Sequence, residues 1–517
     1  MPPKKQGVRP PAMRDVMRAR QAAMRARMEA IRLHRIEPIL QRFPRILPTK
    51  PDSAAKYAVV SSILWFMVGL LIALLLAVKL VFPRLFAPFP WLSYGRLAGA
   101  ETAVMTWGVL FTGFTAAMFA IVPRVTGTKL WSERIGAQTI ILHDNVMLAG
   151  IVLLLIGRTQ GINGLEFPWP IDILIVNSIM MVMQNVFATV ARRREKPLAV
   201  PLWYFLAALP LLLFSYAFGN FAAPWYYGVN QQIVAGFAVA GTAAGITMMG
   251  IGTAYYVLPK ATGRPIYSER LAIMGFWSFV FAAPWIGQIW SVYGPGQDYL
   301  ETVAITFAVW LVIPALCVLA NFWGTLRDAW DEAITSPAVR FVVGGTLFVL
   351  LGTIQTGIGS LRTLQHVIGH TTWDIASQTA IIGGLGFFLI ALVYHQFPPM
   401  IGRELFSTRW AARQFWFQSI GLAVVVLATS IAGVIQGYLQ LGGVKTAARV
   451  STGDKWFVVS SATRPLFVLW IAGGALVAFG ALLFVANIVR TNTSGADAER
   501  ERLPFELPAP EPVKVLA

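Results

Sequence analysis

The chain has 517 residues, of which 56% are hydrophobic and only 13% are charged. Soluble proteins carry a charge on about a quarter of their residues, so this composition excludes an ordinary soluble protein. The net charge of +18 accompanies long apolar runs and does not indicate a nucleic-acid-binding surface. The single cysteine, Cys317, excludes a disulfide or a cysteine-based metal cluster within these residues.

The first fifty residues are strongly basic, with 13 Lys and Arg against three Asp and Glu. Met13, Met17, Met24 and Met28 recur at helical spacing among arginines, which predicts an amphipathic basic helix over 12–37. Such a helix lies on anionic lipid or packs on a partner subunit, and the alternative is a solvated tail. With no short apolar signal core, we expect a cytoplasmic N-terminal extension.

Apolar runs of about 20 residues, enough to span a bilayer, recur along the rest of the chain. They predict a polytopic membrane protein with both termini in the cytoplasm, because Lys and Arg concentrate in alternate loops. We expect a cytoplasmic extension over 1–56, a membrane domain over 57–490 and a flexible cytoplasmic tail over 491–517. The twelve predicted spans are 57–82, 100–123, 136–157, 170–192, 200–219, 231–258, 269–292, 299–324, 339–361, 375–400, 411–438 and 464–490.

Three segments share one pattern at the inner ends of spans 2, 6 and 10. They read "PRVTGTKLWSER" (123–134), "PKATGRPIYSER" (259–270) and "PPMIGRELFSTR" (398–409). Each has a Pro, a Gly four residues later, then an aromatic residue, a Ser and an Arg at fixed spacing. Pro and Gly end a helix, and spans four apart share the pattern. The sequence therefore predicts three four-helix units with pseudo-threefold symmetry.

Twelve spans in three four-helix arcs resemble subunit I of the haem–copper oxidases. The segments "YGRL" (94–97), "EFPWPIDILI" (166–175), "YYVLPKATGRPIYSERLAIMGFW" (255–277) and "PWIG" (284–287) are similar to the cbb3-type catalytic subunit. The resemblance covers about 57–490. It implies an all-α bundle in a bacterial inner membrane within a respiratory complex, and a site that holds two haems and one copper.

The histidines do not match that site. The family uses six buried histidines for its metals, whereas this chain has five: His34, His143, His366, His370 and His395. None lies between His143 and His366, so the resemblance supplies no histidine to copper from spans 6 and 7. The residues at the family's ligand positions are Glu101 in span 2, Val239 in span 6, Ile289 and Trp290 in span 7, and Ala376 and Gln378 in span 10.

The family's cross-linked tyrosine is likewise replaced, by Ala283. Val, Ile, Trp and Ala side chains do not ligate iron or copper, and in an emptied pocket they would restore packing. We therefore predict no haem, no metal and no catalytic residue in this chain. The haem of the complex would lie in partner subunits.

Several polar residues have two interpretations each. Glu101 could relay protons or bind a partner's cation, or it could be a neutral acid bonded to Gln378 or water. His143 and Asp144, about two turns into span 3, and His395 in span 10 could mark a former proton path or be polar packing groups.

Two features of the loops opposite the repeats also carry alternatives. His366 and His370 have the spacing of a helical metal pair, but a surface pair without a third ligand is the simpler interpretation. The loop 439–463, with Lys445, Arg449 and Lys455, could dock an acidic c-type cytochrome or be merely solvated.

Three functions compete. The first is a non-catalytic scaffold, a pseudoenzyme that anchors c-type cytochrome and other subunits of an electron-transport complex. The second is a working terminal oxidase or nitric oxide reductase with unusual ligands, such as Met105 near Glu101. The third is a proton or ion transporter. Fold alone does not choose among these functions, because function depends on the site.

Overall fold

The protein is described from a computed structural model, which covers residues 24, 50–162, 164–443, 452–498, 501 and 503–506; only the backbone is described at 442, 443 and 452–457. The chain divides into two units, 1–49 and 50–517. The predicted helix over 12–37 lies outside the described residues apart from Met24.

Twelve helices in the described part of the chain are long and apolar enough to cross a membrane, which confirms the predicted fold class. They are α1 Ser53–Val81, α2 Tyr94–Thr126, α3 Glu133–Leu155, α4 Trp169–Ala191, α5 Val200–Trp225, α6 Val229–Thr262, α7 Glu269–Ser291, α8 Asp298–Thr325, α9 Pro337–Ser360, α10 Thr372–Ile401, α11 Thr408–Leu441 and α12 Val458–Ser494. Short helices at Pro90–Leu92, Trp330–Thr335 and Arg362–Ile368 lie in the loops.

Helices α2, α6 and α10 form the centre of the bundle. The most apolar segments of these three helices are 89%, 72% and 61% buried, whereas those of α1 and α12 are only 28% and 22% buried. The central helices also pack against one another pairwise. Spans four apart in the sequence thus occupy equivalent inner positions, as the repeat predicts.

The three repeats turn the chain in the same way, at the face that we call the repeat face. Gly127, Gly263 and Gly402 have φ of 63°, 64° and 68°, a left-handed conformation that glycine adopts freely and that ends the preceding helix. Ser132 then caps α3 by accepting a hydrogen bond from the backbone N–H of Ile135 at 3.2 Å. The equivalent serines of the other repeats cap α7 and α11.

An asparagine clamp fixes each repeat to the last helix of its own unit. In the first unit, Asn185 of α4 accepts a hydrogen bond from Ser132 N (3.1 Å) and donates one to Ser132 O (3.0 Å). Thr189, one turn later, accepts from Trp131 N. The same bonds join Asn321 to Ser268, Thr325 to Tyr267, Asn487 to Ser407 and Thr491 to Phe406.

Two predicted segments differ from the structure. The loop over 439–463 is shorter than predicted, because the helix that contains the span α12 already begins at Thr452, six residues before that span. Pro465 lies inside this last helix. Proline has no backbone N–H to donate, and in a membrane protein neighbouring groups can compensate for the missing helical hydrogen bond. Most of the basic stretch of that loop lies outside the described residues.

The tail predicted over 491–517 contacts the bundle in its described part. The last helix runs to Ser494, after which Ala498 N donates to Gly402 O, and Leu503 is buried. A buried charge lies beside this segment. The side chain of Arg124, at the end of α2, is only 3% exposed, and a buried cation requires counter-charges.

Arg124 obtains its counter-charges from both ends of the described chain. Its Nη1 and Nη2 lie 2.9 and 3.0 Å from the carboxylate oxygens of Asp52, just before α1. Its Nη2 also lies 3.0 Å from Glu501 Oε2, and Glu501 N lies 3.4 Å from Pro399 O of α10. This cluster ties three elements together at the repeat face.

Candidate functional site

The three positions at which the sequence resemblance predicts replaced copper ligands lie in packed, apolar surroundings. Val239 of α6 lies beside Gly164, whose hypothetical Cβ would be 2.7 Å from Val239 Cγ2. Ile289 is buried and packs with Ala304 and Ala308 of α8, together with Trp290. The side chains of Val239, Ile289 and Trp290 therefore pack against protein atoms of the loop before α4 and of α8.

Beside these positions, α6 and α7 touch through their backbones. A Cβ on Gly287 would lie only 2.0 Å from Gly236 O, so the two glycines permit a contact that any other residue would block. Gln288 Nε2 donates to Ile233 O at 3.0 Å in the same region. The end of α7 is 3₁₀-helical from Ala283 to Ser291, which brings Gly287 and Gln288 onto α6.

A cavity of about 120 Å³ lies between α5, α6, α7, α8, α9 and α10. Ala283, expected from the resemblance to stand in place of the family's tyrosine, lines it with Ile286, Phe388, Thr346 and Tyr204. The Tyr204 hydroxyl is buried and has no hydrogen-bond partner among the described residues. The cavity is smaller than ordinary ligand pockets, which begin at about 300 Å³.

Glu101 and Gln378, which the resemblance predicts at the low-spin haem positions, do not contact each other through a hydrogen bond among the described residues. Glu101 is half-buried and Gln378 is exposed. Ala376 is fully buried. Met105 packs away from the centre, since its sulfur would lie 2.8 Å from a Cβ on Gly69 of α1.

His143 stabilises an irregular turn of α2. Residues Val104–Phe111 are π-helical, and the Trp107 carbonyl receives hydrogen bonds from Thr112 Oγ1 and His143 Nε2, both at 3.1 Å. Because a carbonyl only accepts, Nε2 carries the proton. The buried Nδ1 is then an acceptor without a partner in the described structure. This contact supports the packing interpretation of His143.

Asp144 and His395 occupy separate surroundings. Asp144 accepts hydrogen bonds from Ser61 Oγ (2.5 Å) and Trp65 Nε1 (2.9 Å) and so joins α3 to α1. It lies three turns into α3 rather than the predicted two, because the helix already begins at Glu133. His395 is half-buried near the repeat face, with its ring centroid 6.3 Å from that of Tyr256.

The exposed pair His366 and His370 is not extended by a third ligand. His370 lies outside the short helix Arg362–Ile368 and has a φ of 57°, so the two side chains do not share the helical spacing that the sequence suggests. Among the described residues, no group of three His, Cys, Asp or Glu side chains could hold a metal ion.

A buried carboxylate network at the face opposite the repeats was not anticipated from the sequence. Asp172 of α4 is fully buried; one oxygen accepts from Tyr216 Oη and the other from Gln160 Nε2. Glu166, in the adjacent loop, accepts from Gly164 N at 2.9 Å. Burial raises the pKa of Glu166, and that hydrogen bond opposes the rise. The signal available in the sequence was an aspartate inside a predicted span.

Comparisons with known proteins identify the family. Residues 53–476 match the family model described as cytochrome c and quinol oxidase polypeptide I. The chain is 27% identical to the cbb3-type cytochrome c oxidase subunit CcoN1 of Stutzerimonas stutzeri, over 87% of this chain and 98% of that protein. It is 25% identical to the cytochrome c oxidase subunit 1 homolog of Agrobacterium tumefaciens, over 85% and 83% of the two chains.

A solved structure shows the same fold. A heme–copper terminal oxidase dimer determined by cryo-EM aligns with a TM-score of 0.70 at 14% identity and covers 87% of this chain and 86% of its own. With its twelve membrane helices and the match over 53–476, this chain belongs to the subunit I family of the haem–copper oxidases.

Proposed function

We propose that this chain is a haem–copper oxidase subunit I-like protein that has kept the fold without the metal centres. In this proposal it acts as a scaffold for other redox subunits in a bacterial inner membrane. The observation that carries the proposal is that Val239 and Ile289, at positions expected to supply copper ligands, bear no donor atom and lie in packed, apolar surroundings.

Side-chain chemistry supports the absence of copper. Imidazole is the usual nitrogen ligand of copper in such sites. Val239 and Ile289 have no donor atom, and the Trp290 indole N–H is a hydrogen-bond donor only. Ala283 has no phenol to take part in a redox step. These residues do not fit a copper site.

The haem positions lead to the same proposal. Haem iron is held in proteins by His, Met, Cys or Tyr, whereas the matching positions hold Glu101, Ala376 and Gln378. Met105, the alternative ligand, has its sulfur against α1. A pair of axial ligands on α2 and α10 is therefore not available from these side chains.

A working oxidase is the second candidate, because the relatives described above are cytochrome c oxidase subunits. Such an enzyme would need ligands from outside the positions discussed above. Transport has less support, since Asp144 is engaged by Ser61 and Trp65 and His143 by the Trp107 carbonyl. The polar groups considered for a path thus have structural partners.

The deciding experiment measures haem and copper in the purified chain. We expect a pyridine haemochrome assay and elemental analysis to give much less than one haem and one copper per chain, with no Soret band and no carbon monoxide difference spectrum. The Stutzerimonas stutzeri relative, prepared identically, is the control for cofactor loss. Stoichiometric haem together with oxygen uptake by the isolated chain would refute the scaffold and support the oxidase.

The proposed partners are other membrane subunits and c-type cytochromes. The retained bundle and the basic residues 1–50 support this part of the proposal, in which both termini are cytoplasmic. Affinity purification from native membranes should recover a haem-containing subunit, and deletion of 1–50 should weaken that complex. Labelling of Lys260 and Arg409 from outside intact cells should fail for both residues; labelling of only one would contradict the topology.

A further inference from the structure

Three arginines of the third unit lie at the repeat face, on helices that border the lipid. Arg409 and Arg413 are the second and sixth residues of α11, and Arg490 lies four residues before the end of α12. All three are exposed, and within the described residues none of them forms an ion pair or donates a hydrogen bond. The nearby carboxylate of Asp497 is paired with Arg403 instead, at 3.5 Å. We call Arg409, Arg413 and Arg490 the arginine triad.

The packing of α11 against α12 brings the triad together. The guanidinium carbon of Arg490 lies 5.8 Å from the ring centroid of Phe406, just before α11, and the ring centroids of Phe417 and Phe479 lie 4.9 Å apart deeper in the bundle. Between these two contacts, each residue forward along α11 is matched by one residue back along α12, so Arg490 is level with Phe406. The other two arginines then lie about 5 and 10 Å deeper, at the usual rise per residue of a helix. Arginine side chains extend from such depths to the head groups.

The third unit differs from the other two at Arg413 and Arg490. The arginine that ends each repeat, Arg409 in this unit, is common to all three units. When the units are aligned on the repeat and the clamp, the other two have uncharged residues in place of Arg413 and Arg490. These residues are Gln138 and Met274, four residues after the arginine of the repeat, and Ala188 and Gly324, one residue before the clamp threonine. The turn and the clamp therefore form without the two added arginines, so the fold does not explain them.

The exposed surface of α11 and α12 below the triad is apolar. The outward-facing side chains of this apolar stripe are between 47% and 60% exposed: Trp416, Ile420, Leu427, Phe479, Leu482 and Val489. Only 22% of the most apolar segment of α12 is buried in the protein. A soluble acidic partner would meet the arginines and leave this stripe uncovered, whereas one phospholipid molecule covers both.

We propose that the arginine triad and the apolar stripe bind a diphosphatidylglycerol lipid (cardiolipin) in the leaflet at the repeat face. A guanidinium group binds phosphate oxygens through two parallel hydrogen bonds, and basic sites between membrane helices bind lipids of this class. One phosphodiester carries one negative charge and leaves two of the three arginines without a counter-charge. Two linked phosphates reach arginines on both helices, and the acyl chains lie along the stripe. The proposal does not depend on whether the chain binds haem.

Lipid titration of the purified full-length chain, followed by native mass spectrometry, tests this site. We expect one cardiolipin molecule to bind per chain at concentrations where phosphatidylglycerol, at equal phosphate content, does not bind. The double variant Arg413→Gln with Arg490→Ala has the residues of the first unit at both positions. It should bind cardiolipin at least about tenfold more weakly, because it loses two charge-assisted contacts. Arg270→Met, at the exposed arginine of the second repeat, is the matched control and should leave binding unchanged.

A measurement on the wild type keeps the test independent of how the variant folds. Raising the salt concentration should weaken cardiolipin binding by the wild type, because salt screens exposed charges. The double variant, with unchanged helical circular dichroism, should show a smaller salt dependence. The proposal is overturned if wild-type binding does not respond to salt, if phosphatidylglycerol binds as tightly at equal phosphate content, or if the folded double variant binds as the wild type does. It is also overturned if Arg270→Met weakens binding equally, or if the triad retains an acidic protein in place of lipid.

Discussion

Replacing Arg124 by methionine should destabilise the bundle strongly, because it leaves the Asp52 carboxylate buried without its cation. Asp52 is 4% exposed and is bonded by both Nη atoms of Arg124. Removing one partner of a buried pair costs about 3–5 kcal/mol. Glu501, whose side chain is 38% exposed, adds less, because water and salt screen its share.

The loss is measured as the free energy of unfolding in a detergent titration followed by tryptophan fluorescence. Most of it should return in the double variant Arg124→Met with Asp52→Asn, which removes the uncompensated charge. Asparagine also tolerates the left-handed backbone of residue 52, where φ is 63°. Arg270→Met, at the exposed arginine of the second repeat, should change stability by less than about 0.5 kcal/mol.

Two results would refute this reasoning. A loss below about 1 kcal/mol for Arg124→Met would place the cluster among ordinary surface ion pairs. A double variant as unstable as the single one would show that the Arg124 side chain acts through packing rather than through charge.

Three further predictions concern other parts of the bundle. Asn321→Ala, which removes both bonds to Ser268, should cost about 1–3 kcal/mol in the same titration, and a neutral result would contradict the clamp. Burial raises the pKa of Glu166, so ionisation of this carboxyl opposes folding. The free energy of unfolding should therefore fall as pH rises from the pKa of the carboxyl in the unfolded chain through its raised value in the folded protein. Glu166→Gln should abolish that part of the pH dependence. Gly287→Ala should lower the free energy of unfolding by about 1–3 kcal/mol, because the added Cβ would overlap the backbone of α6. Gly386→Ala, with open space around the added Cβ, is the control and should be tolerated. Equal stability of the two variants would argue against the close contact.

Hydropathy and the repeat were enough to predict the helical class and the threefold plan, because both depend on local sequence. The asparagine clamp was also present as "NVFAT" (185–189), "NFWGT" (321–325) and "NIVRT" (487–491). The pattern was not recognised from the sequence because the interval between the second and third copies is longer than that between the first and second. The segment 439–463 lengthens the last unit. A search at fixed spacing does not find the pattern.

Contacts between distant segments could not be predicted in this way. Nothing near Arg124 in the sequence indicates that Glu501 would supply its counter-charge. The approach of Gly236 to Gly287 likewise depends on how two helices meet. Replacement of the ligand positions, by contrast, rests on the family resemblance alone and stays a prediction until haem and copper are measured.

The three clamps also bear on the order in which the chain can assemble during synthesis. The hydrogen bonds of the clamps join Asn185 and Asn321 to serines 53 residues earlier, and Asn487 to a serine 80 residues earlier. Each unit can therefore form its own clamp soon after its fourth helix leaves the ribosome. The bond from Arg124 to Glu501 spans 377 residues and must wait for the C-terminal segment. A chain released before Glu501 would hold three closed units but lack the ion pair that joins the first unit to the C-terminal segment on the third. Membrane quality control could therefore distinguish finished from truncated protein by a buried cation that lacks one of its two counter-charges.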